Sequence, residues 1–561
     1  MKARTIYVNE MGTSATTYYT VPTNTRSKLI LLHVAPTSAT TTIPNLVTAS
    51  LVAPAFLGLN TQESSVANDP SFALEANNCV IDEFGRLGAR KGWLYRTSSG
   101  GTSTNLLGIH PFLDVTGTNT LVSWSATKFY TGLSTLTERT PTTTDTITAG
   151  NWSSATLNDR SYFFQGGYKP LYYTNESTPN EFKSIDQHAD YTGTAPAADI
   201  VMSAFGRLWA ADTATNKTTL FFSDLLNGVE WGTGTAGTLN INGVLPKGQD
   251  IITGLGEHNG RLIVFCKNHV IIFADGDSFQ ASFDVNTLQL VEVISGVGCV
   301  ARDSIQNTGD DIIFLSATGL RSLGRTVQEK SQPMNDLSRN VRDTFMDIVN
   351  RENNPELIKS CYFPEAAFYL INLPEAKEVF VFDTRGALED ASLRVTTWND
   401  LDHTDYVYDA TNKTMYLTQA NGIAEYVGYN DNGNSYLMSY FTNHFDLGAP
   451  NVNKILKRAS VTAIGSSAQA FTLKVGYDYN TSYFSTPFTL KETNVSEYGV
   501  AEYGANAAEV AEYNLGVSLD RLSASVSGSG DIVQIGIETT IDGALLSVQK
   551  LDVYAKQGRI I

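Results

Sequence analysis

The stretch Asn259-Gly-Arg-Leu-Ile-Val-Phe-Cys-Lys-Asn-His-Val-Ile-Ile-Phe-Ala274 decides the fold. It opens on a polar turn and runs through a short apolar strand. A polar link follows, and a second apolar strand runs back. Both apolar runs are too short for a helix and rich in β-branched and aromatic side chains, so the unit reads as a β-hairpin with buried strands. Its reactive side chains, Cys266 and His269, fall within strands and read as structural.

Relatives of this hairpin lie at 118–131, 158–173, 205–224, 309–323, 365–383 and 412–426. Successive units start roughly 40 to 56 residues apart, in the range of propeller blades. Three share a turn pair followed by arginine: Asn158-Asp-Arg160, Phe205-Gly-Arg207 and Asn259-Gly-Arg261. A lone sheet of this size cannot bury both faces, but sheets arranged radially cover one another and keep their edges short. The reading is an all-β fold: a β-propeller of six or seven blades over 101–428, each hairpin forming the middle pair of a blade. An irregular β-sandwich with hairpins at ordinary intervals is the competing reading. One amphipathic helix is inserted. Met334–Asn350 puts Leu337, Val341, Phe345 and Ile348 on one face, with Asp336 as N-cap. Its expected place is the propeller rim or a bridge to another subunit.

The flanks differ in character. Residues 1–50 form an N-terminal β extension of two strands and a Thr/Ser/Ala/Pro tract from Pro36 to Pro44. Residues 51–100 form an N-terminal hairpin segment whose second strand is basic. Its Arg86, Arg90 and Lys91 are one of the few basic clusters in the chain. They read either as a solvated strand face or as a contact with an acidic partner. Beyond Gly428 the strands lengthen and alternate apolar with polar, which predicts a β-sandwich domain over 429–561. Within it, 497–516 carries Glu497-Tyr-Gly-Val-Ala, Glu502-Tyr-Gly-Ala-Asn and Glu512-Tyr-Asn-Leu-Gly. The glycines disfavour helix, so this reads as an exposed acidic, tyrosine-bearing loop.

Charge and motifs narrow the function. The 561 residues hold 39 Lys+Arg against 57 Asp+Glu, a net charge of −18. Gripping phosphate needs clustered basic residues, so the acidic balance argues against tight nucleic-acid binding. An acidic surface still suits a face that must meet DNA without holding it. The four cysteines are far apart with no CxxC, and read as buried thiols rather than zinc or redox sites. The seven histidines show no HxH or HxxxH spacing. Asn430–Asn434 and Asp275-Gly-Asp277 resemble pieces of calcium loops without the later bidentate glutamate, and read as turns. There is no GxSxG, P-loop or dinucleotide fingerprint. Ser223–Trp231 resembles a sialidase Asp-box but is spaced differently and does not recur. The sequence therefore assigns no catalytic, cofactor or metal residue, and the chain reads as a non-enzyme. Its start lacks an apolar core of signal-peptide length, and no run approaches the ~20 apolar residues that span a bilayer. The expectation is a chain made in a cytoplasm without a membrane-spanning segment.

Several segments together resemble a known family. Phe56–Thr61, Asn77–Asp82 and Gly85–Gly92 are similar to the N-terminal signature of the tail nozzle proteins of short-tailed bacteriophages, also called tail tubular protein B or the tail-stabilising factor. Phe221–Asp224, Tyr362–Glu365 with Val379–Arg385, and Ile532–Gly536 with Lys550–Arg559 extend the resemblance in order along the chain. Residues 1–50 fall outside it and look more like part of a small β-sandwich of other phage structural proteins. The resemblance implies a propeller protein of the virion tail, assembled in the host cytoplasm as a homohexameric ring below the portal and adaptor. Such a ring extends the channel, conducts double-stranded genomic DNA without specific binding, and anchors tail fibres or spikes. The family carries no catalytic residues to transfer. Six chains at −18 each would give an acidic tube that repels phosphate. A receptor- or glycan-binding propeller module at a virion or cell surface is the alternative.

Overall fold

The computed structural model describes residues 46–64, 69–98, 105–147, 150–175, 181–275, 285–329, 336–448, 452–466, 468–491 and 517–560. The strands expected before residue 46 and the acidic tyrosine loop lie outside these residues. Small sheets surround one axis. They are blade 1 (106–139), blade 2 (153–184), blade 3 (198–240), blade 4 (252–295), blade 5 (306–322), blade 6 (359–398) and blade 7 (406–426). Among the described residues, six have four strands and blade 5 has three. Blade 7 obtains its fourth strand from far upstream: Trp93–Tyr95 pairs antiparallel with Gly422–Tyr426, so the N-terminal side of the chain closes the propeller.

In six blades the hairpin read from the sequence is the middle pair; in blade 5, Ile312–Ser316 and Gly319–Ser322 are the second and third of the three described strands. In blade 4, Arg261–Cys266 and His269–Asp275 pair between Ile252–His258 and Leu288–Ser295. The middle strands are buried on both faces, because a blade packs against a neighbour on each side. The turn pairs before the three arginines share one geometry. Asn158 and Asp159, Phe205 and Gly206, and Asn259 and Gly260 all have positive φ. That is the signature of a type I′ turn, whose twist suits a tight hairpin.

Outside the propeller lies a β-sandwich. One of its sheets pairs Ala73–Asn77, Tyr436–Thr442, Val533–Ile541, Ala470–Tyr477 and Phe484–Thr489. The other contains Leu46–Val52, Cys79–Ile81, Leu87–Ala89, Leu546–Ile560, Val452–Ser466 and Val517–Ser525. Thus strands from the 51–100 segment build into the C-terminal sheets. Asn77 also pairs in parallel with Thr397 at the outer strand of blade 6. Blade 6 and the first sandwich sheet therefore form one nine-stranded sheet.

The inserted helix is shorter than the sequence periodicity predicts. It comprises a 3-10 turn, Arg339–Val341, and an α-helix at Arg342–Val349. Asp336 is not its N-cap. That carboxylate is buried and accepts from Arg342 Nε at 2.5 Å, so it is committed to a side chain instead of the helix amides. The apolar face holds as expected: Leu337, Val341 and Phe345 are buried, and the Phe345 ring meets Phe380 of blade 6 at 5.0 Å. A second helix, Leu323–Glu329, follows blade 5 and has no counterpart in the sequence reading.

Candidate functional site

The richest cluster of charge lies on the propeller axis, around a cavity of about 260 Å³. The inner strands deliver it, because a radial arrangement points their side chains at one another. Asp303, from the 3-10 turn before blade 5, accepts from Arg302 Nε at 2.7 Å and from Lys359 Nζ of blade 6 at 2.5 Å. Lys359 also reaches Asn151, ahead of blade 2, at 2.8 Å. Arg302 donates to the Asp199 carbonyl of blade 3. The bonds from Lys359 to Asn151 and from Arg302 to Asp199 join blades that are not neighbours, so they cross the axis and fill it. Burial pushes the Asp303 carboxyl up, but Arg302 and Lys359 outweigh it and hold the group well below the usual carboxylate range.

Two further groups complete the hub. Asp405, ahead of blade 7, accepts the Ile109 amide of blade 1 at 3.1 Å. Burial, opposed by Lys359 and reinforced by Asp303, pushes its pKa up to about 6. His110 of blade 1 bridges to Thr156 at 2.8 Å and Ser154 at 3.0 Å in blade 2, and burial pushes it down to about 4. A carboxylate and a neutral imidazole near one cavity are ingredients of acid–base chemistry. Here each hydrogen-bonds to a neighbouring blade, so the geometry assigns them to closing the ring of sheets.

The basic trio of the 51–100 segment is divided. Arg90 is completely buried. It makes a two-toothed ion pair with Asp431 at 2.9 and 2.8 Å, and donates to Asn78 Oδ1 at 2.8 Å and to the Asn399 and Lys91 carbonyls at 3.0 Å each. Its guanidinium lies 4.0 Å from the Tyr436 ring centroid. All five N–H donors are spent inside the protein, so Arg90 offers no charge to a partner, and that part of the partner-contact expectation is corrected. Arg86 is partly exposed and pairs with Asp82 at 2.5 Å. Lys91 is exposed.

Lys91 lines a groove of about 550 Å³ between the Cys79–Ala89 hairpin and blade 6. Phe363, Phe368, Tyr426 and Tyr429 give it an aromatic lining, and Asp383 holds Arg385 at 2.8 Å and Arg394 at 3.5 Å within it. Sequence reasoning missed both the groove and the hub, because each is assembled from segments hundreds of residues apart.

No family model matches this sequence, and no curated protein matches it. Among solved structures, the chain is similar to Kuenenia stuttgartiensis hydrazine synthase at a TM-score of 0.34 and 11% identity, over 58% of this chain and 96% of that one. It is similar to Saccharomyces cerevisiae Sqt1 at a TM-score of 0.30 and 11% identity, over 52% and 92%. YCF48 bound to D1 peptide gives a TM-score of 0.33 and 9% identity, over 63% and 97%. At such scores these likenesses carry no argument about activity or partners.

Other motifs resolve into local structure. Asp431 of the calcium-like run is the partner of Arg90. Asp224, in the Asp-box-like run, accepts from the Thr235 amide and hydroxyl at 2.8 and 2.6 Å. All four cysteines are buried free thiols, and burial raises each thiol pKa. No cluster of three or more metal-ligating side chains occurs among the described residues. No helix among them is long and apolar enough to cross a membrane.

Proposed function

We propose that this chain is a structural subunit of a short-tailed phage tail, a nozzle protein whose copies close into a hexameric ring. The ring extends the portal–adaptor channel, passes genomic DNA and anchors fibres or spikes. The observation that carries this reading is the nine-stranded sheet running from blade 6 into the sandwich. It makes two domains one stiff body, as a wall segment under internal DNA pressure requires. A net charge of −18 supports it further, since an acidic wall lets phosphate slide. Negative-stain imaging of the purified chain tests the reading: a six-fold ring with a central channel is expected, and a monomer or trimer at every concentration overturns it.

A receptor- or glycan-binding module is the second reading, favoured by the aromatic groove beside blade 6. Clefts of this size at domain junctions are common ligand sites. On this reading a carbohydrate ligand binds the wild type and is lost from Tyr429→Ala; equal binding by both proteins removes the groove from consideration.

A further inference from the structure

The outer face of the second sandwich sheet is basic, in a chain that carries 57 acidic against 39 basic side chains. Strand register shows which residues share that face. Arg521, Thr462, Lys550 and Val52 stand in one row across four strands. Ser523, Ser460, Asp552 and Ser50 form the next row, and Ser525, Arg458, Tyr554 and Thr48 the third. Alternation along the strands adds Lys556, two residues beyond Tyr554, and Leu519, two before Arg521. The intervening side chains Ala459, Val461, Leu551 and Val553 are buried on the other side of the sheet. Bonds within the face confirm the rows: Arg521 Nε and the Ser523 hydroxyl each reach Ser460 Oγ at 3.2 Å, and Lys550 pairs with Asp552 at 2.8 Å. Asp552 is the one carboxylate in these rows, against Arg458, Arg521, Lys550 and Lys556. Arg458, Arg521 and Lys556 are exposed and form no ion pair among the described residues. Leu519 and Val52 are 61% and 44% exposed, so the same face offers apolar contact beside its cations.

The chain also carries the complement of this face. A groove of about 650 Å³ lies between the Arg342–Val349 helix and the turn that joins Phe368–Leu373 to Glu378–Asp383 of blade 6. Asp343, Asp347, Glu352, Glu375 and Glu378 line it, with Arg351. Lys377 belongs to the same turn, so the count there is five carboxylates against two cations. None of the five carboxylates is in an ion pair among the described residues. Ile348 and Ala376 give the groove apolar lining.

We infer that the basic sheet face of one copy docks on the acidic groove of the next copy, a contact that rests on the ring reading above. One chain cannot make this contact by itself. The inner residues of the sheet, Ala459, Val461 and Val553, and those of the helix, Phe345 and Val349, belong to a single core. Face and groove are the outer sides of elements packed on that core, so they point away from it and from each other. Charge and apolar content together choose the occupant. A nucleic-acid backbone would meet the cations and leave Leu519 and Val52 uncovered, whereas the groove brings carboxylates together with Ile348 and Ala376. Charge sets the register and speeds the encounter, and the buried apolar contact holds the complex. A contact between unlike surfaces is heterologous, and heterologous contacts that close generate rings.

Charge reversal tests the contact by analytical ultracentrifugation. One variant carries Arg458→Glu and Lys556→Glu on the face, and the other carries Asp343→Lys and Asp347→Lys in the groove. The wild type is expected to form rings and each variant alone to sediment as a monomer, since like charges then meet. An equimolar mixture is expected to form rings again. One variant is then acidic on both surfaces and the other basic on both, so alternating copies match at every contact. Wild-type rings with either variant alone still forming rings overturn this contact and leave the ring reading standing. Monomeric variants whose mixture stays monomeric also overturn it, because face and groove then meet something other than each other. Binding of a labelled duplex by the wild type that is lost from the face variant would make nucleic acid the occupant and overturn it as well. A wild type that never assembles overturns the ring reading itself. Circular dichroism checks folding, and Arg521→Glu with Lys556→Glu and Asp347→Lys with Glu375→Lys repeat the design if a first variant misfolds.

Discussion

At the scale of single residues, Arg90 shows how much a sequence can hide. Its neighbours Arg86 and Lys91 are partly or fully exposed, and nothing local marks Arg90 as different. The residue that decides its fate, Asp431, lies 341 positions away. Removing the cation leaves Asp431 buried without its partner, and breaking a buried pair this way costs about 3–5 kcal/mol. Arg90→Met should therefore lower the urea midpoint sharply, while Lys91→Met leaves it within error of wild type. Equal effects would mean that Arg90 is not the rivet of the junction. His403 makes a second prediction. Its Nδ1 meets Gln419 Oε1 at 2.9 Å, and its Nε2 is buried with no hydrogen-bond partner among the described residues. Burial is the main cause that brings its pKa from 6.5 down to about 4. Between those values the unfolded chain takes up a proton that the folded chain refuses, so stability falls as pH drops through that window. The full window is worth about 3 kcal/mol. Asp405 slopes the other way, because its raised carboxyl accepts a proton in the folded state first. His403→Asn keeps a donor near Nδ1 and removes the titration. Its stability should change less than wild type between pH 6.5 and 4 in urea titrations; an unchanged slope would remove His403 as the cause.

At the scale of elements, what was legible followed burial. The middle pair of each blade is apolar on both faces and linked by a short turn, so periodicity and turn chemistry both point to it. Outer strands are half solvated and carry weaker signals; Gly237–Asn240 alternates between partly buried and exposed. The sandwich role of Leu46–Val52 was not legible, because it pairs with Leu546–Ile560 at the far end of the chain. For the helix, spacing identified the buried face correctly and the start wrongly, since only the fold reveals that Asp336 turns to Arg342. The hub and the groove left no sequence signal: the hub draws single residues from many blades, and the groove joins the 79–91 segment to blade 6 some 300 residues on. The strand that closes blade 7 is open to direct test. Leu94 is exposed and pairs opposite Glu425. Proline there has no amide to give the ladder. Leu94→Pro should lower the thermal midpoint by several degrees in differential scanning fluorimetry, and Leu94→Thr should not. Gly92, just upstream, approaches the Asn430 carbonyl so closely that a Cβ would sit 1.8 Å from it. The closing strand thus enters along a path that only glycine permits.

At the scale of the whole molecule, the filled axis constrains any account of passage. Lys359 and Arg302 cross the centre of the propeller, and only about 260 Å³ remains beside them. No polymer threads that space, so on the ring reading DNA must run between subunits rather than through one. The walls of such a channel are outer surfaces of the chain. The chain as a whole carries 57 acidic against 39 basic side chains, and the ring reading proposes that the excess carboxylates face the channel. Proteins that hold DNA release counterions and lose affinity steeply between roughly 50 and 200 mM salt. A channel built to let DNA slide has nothing to release. Fluorescence anisotropy of a labelled duplex should therefore show no binding by the assembled ring at either end of that salt range. Retention that weakens as salt rises would reveal a basic lining, and an acidic conduit would no longer describe this protein.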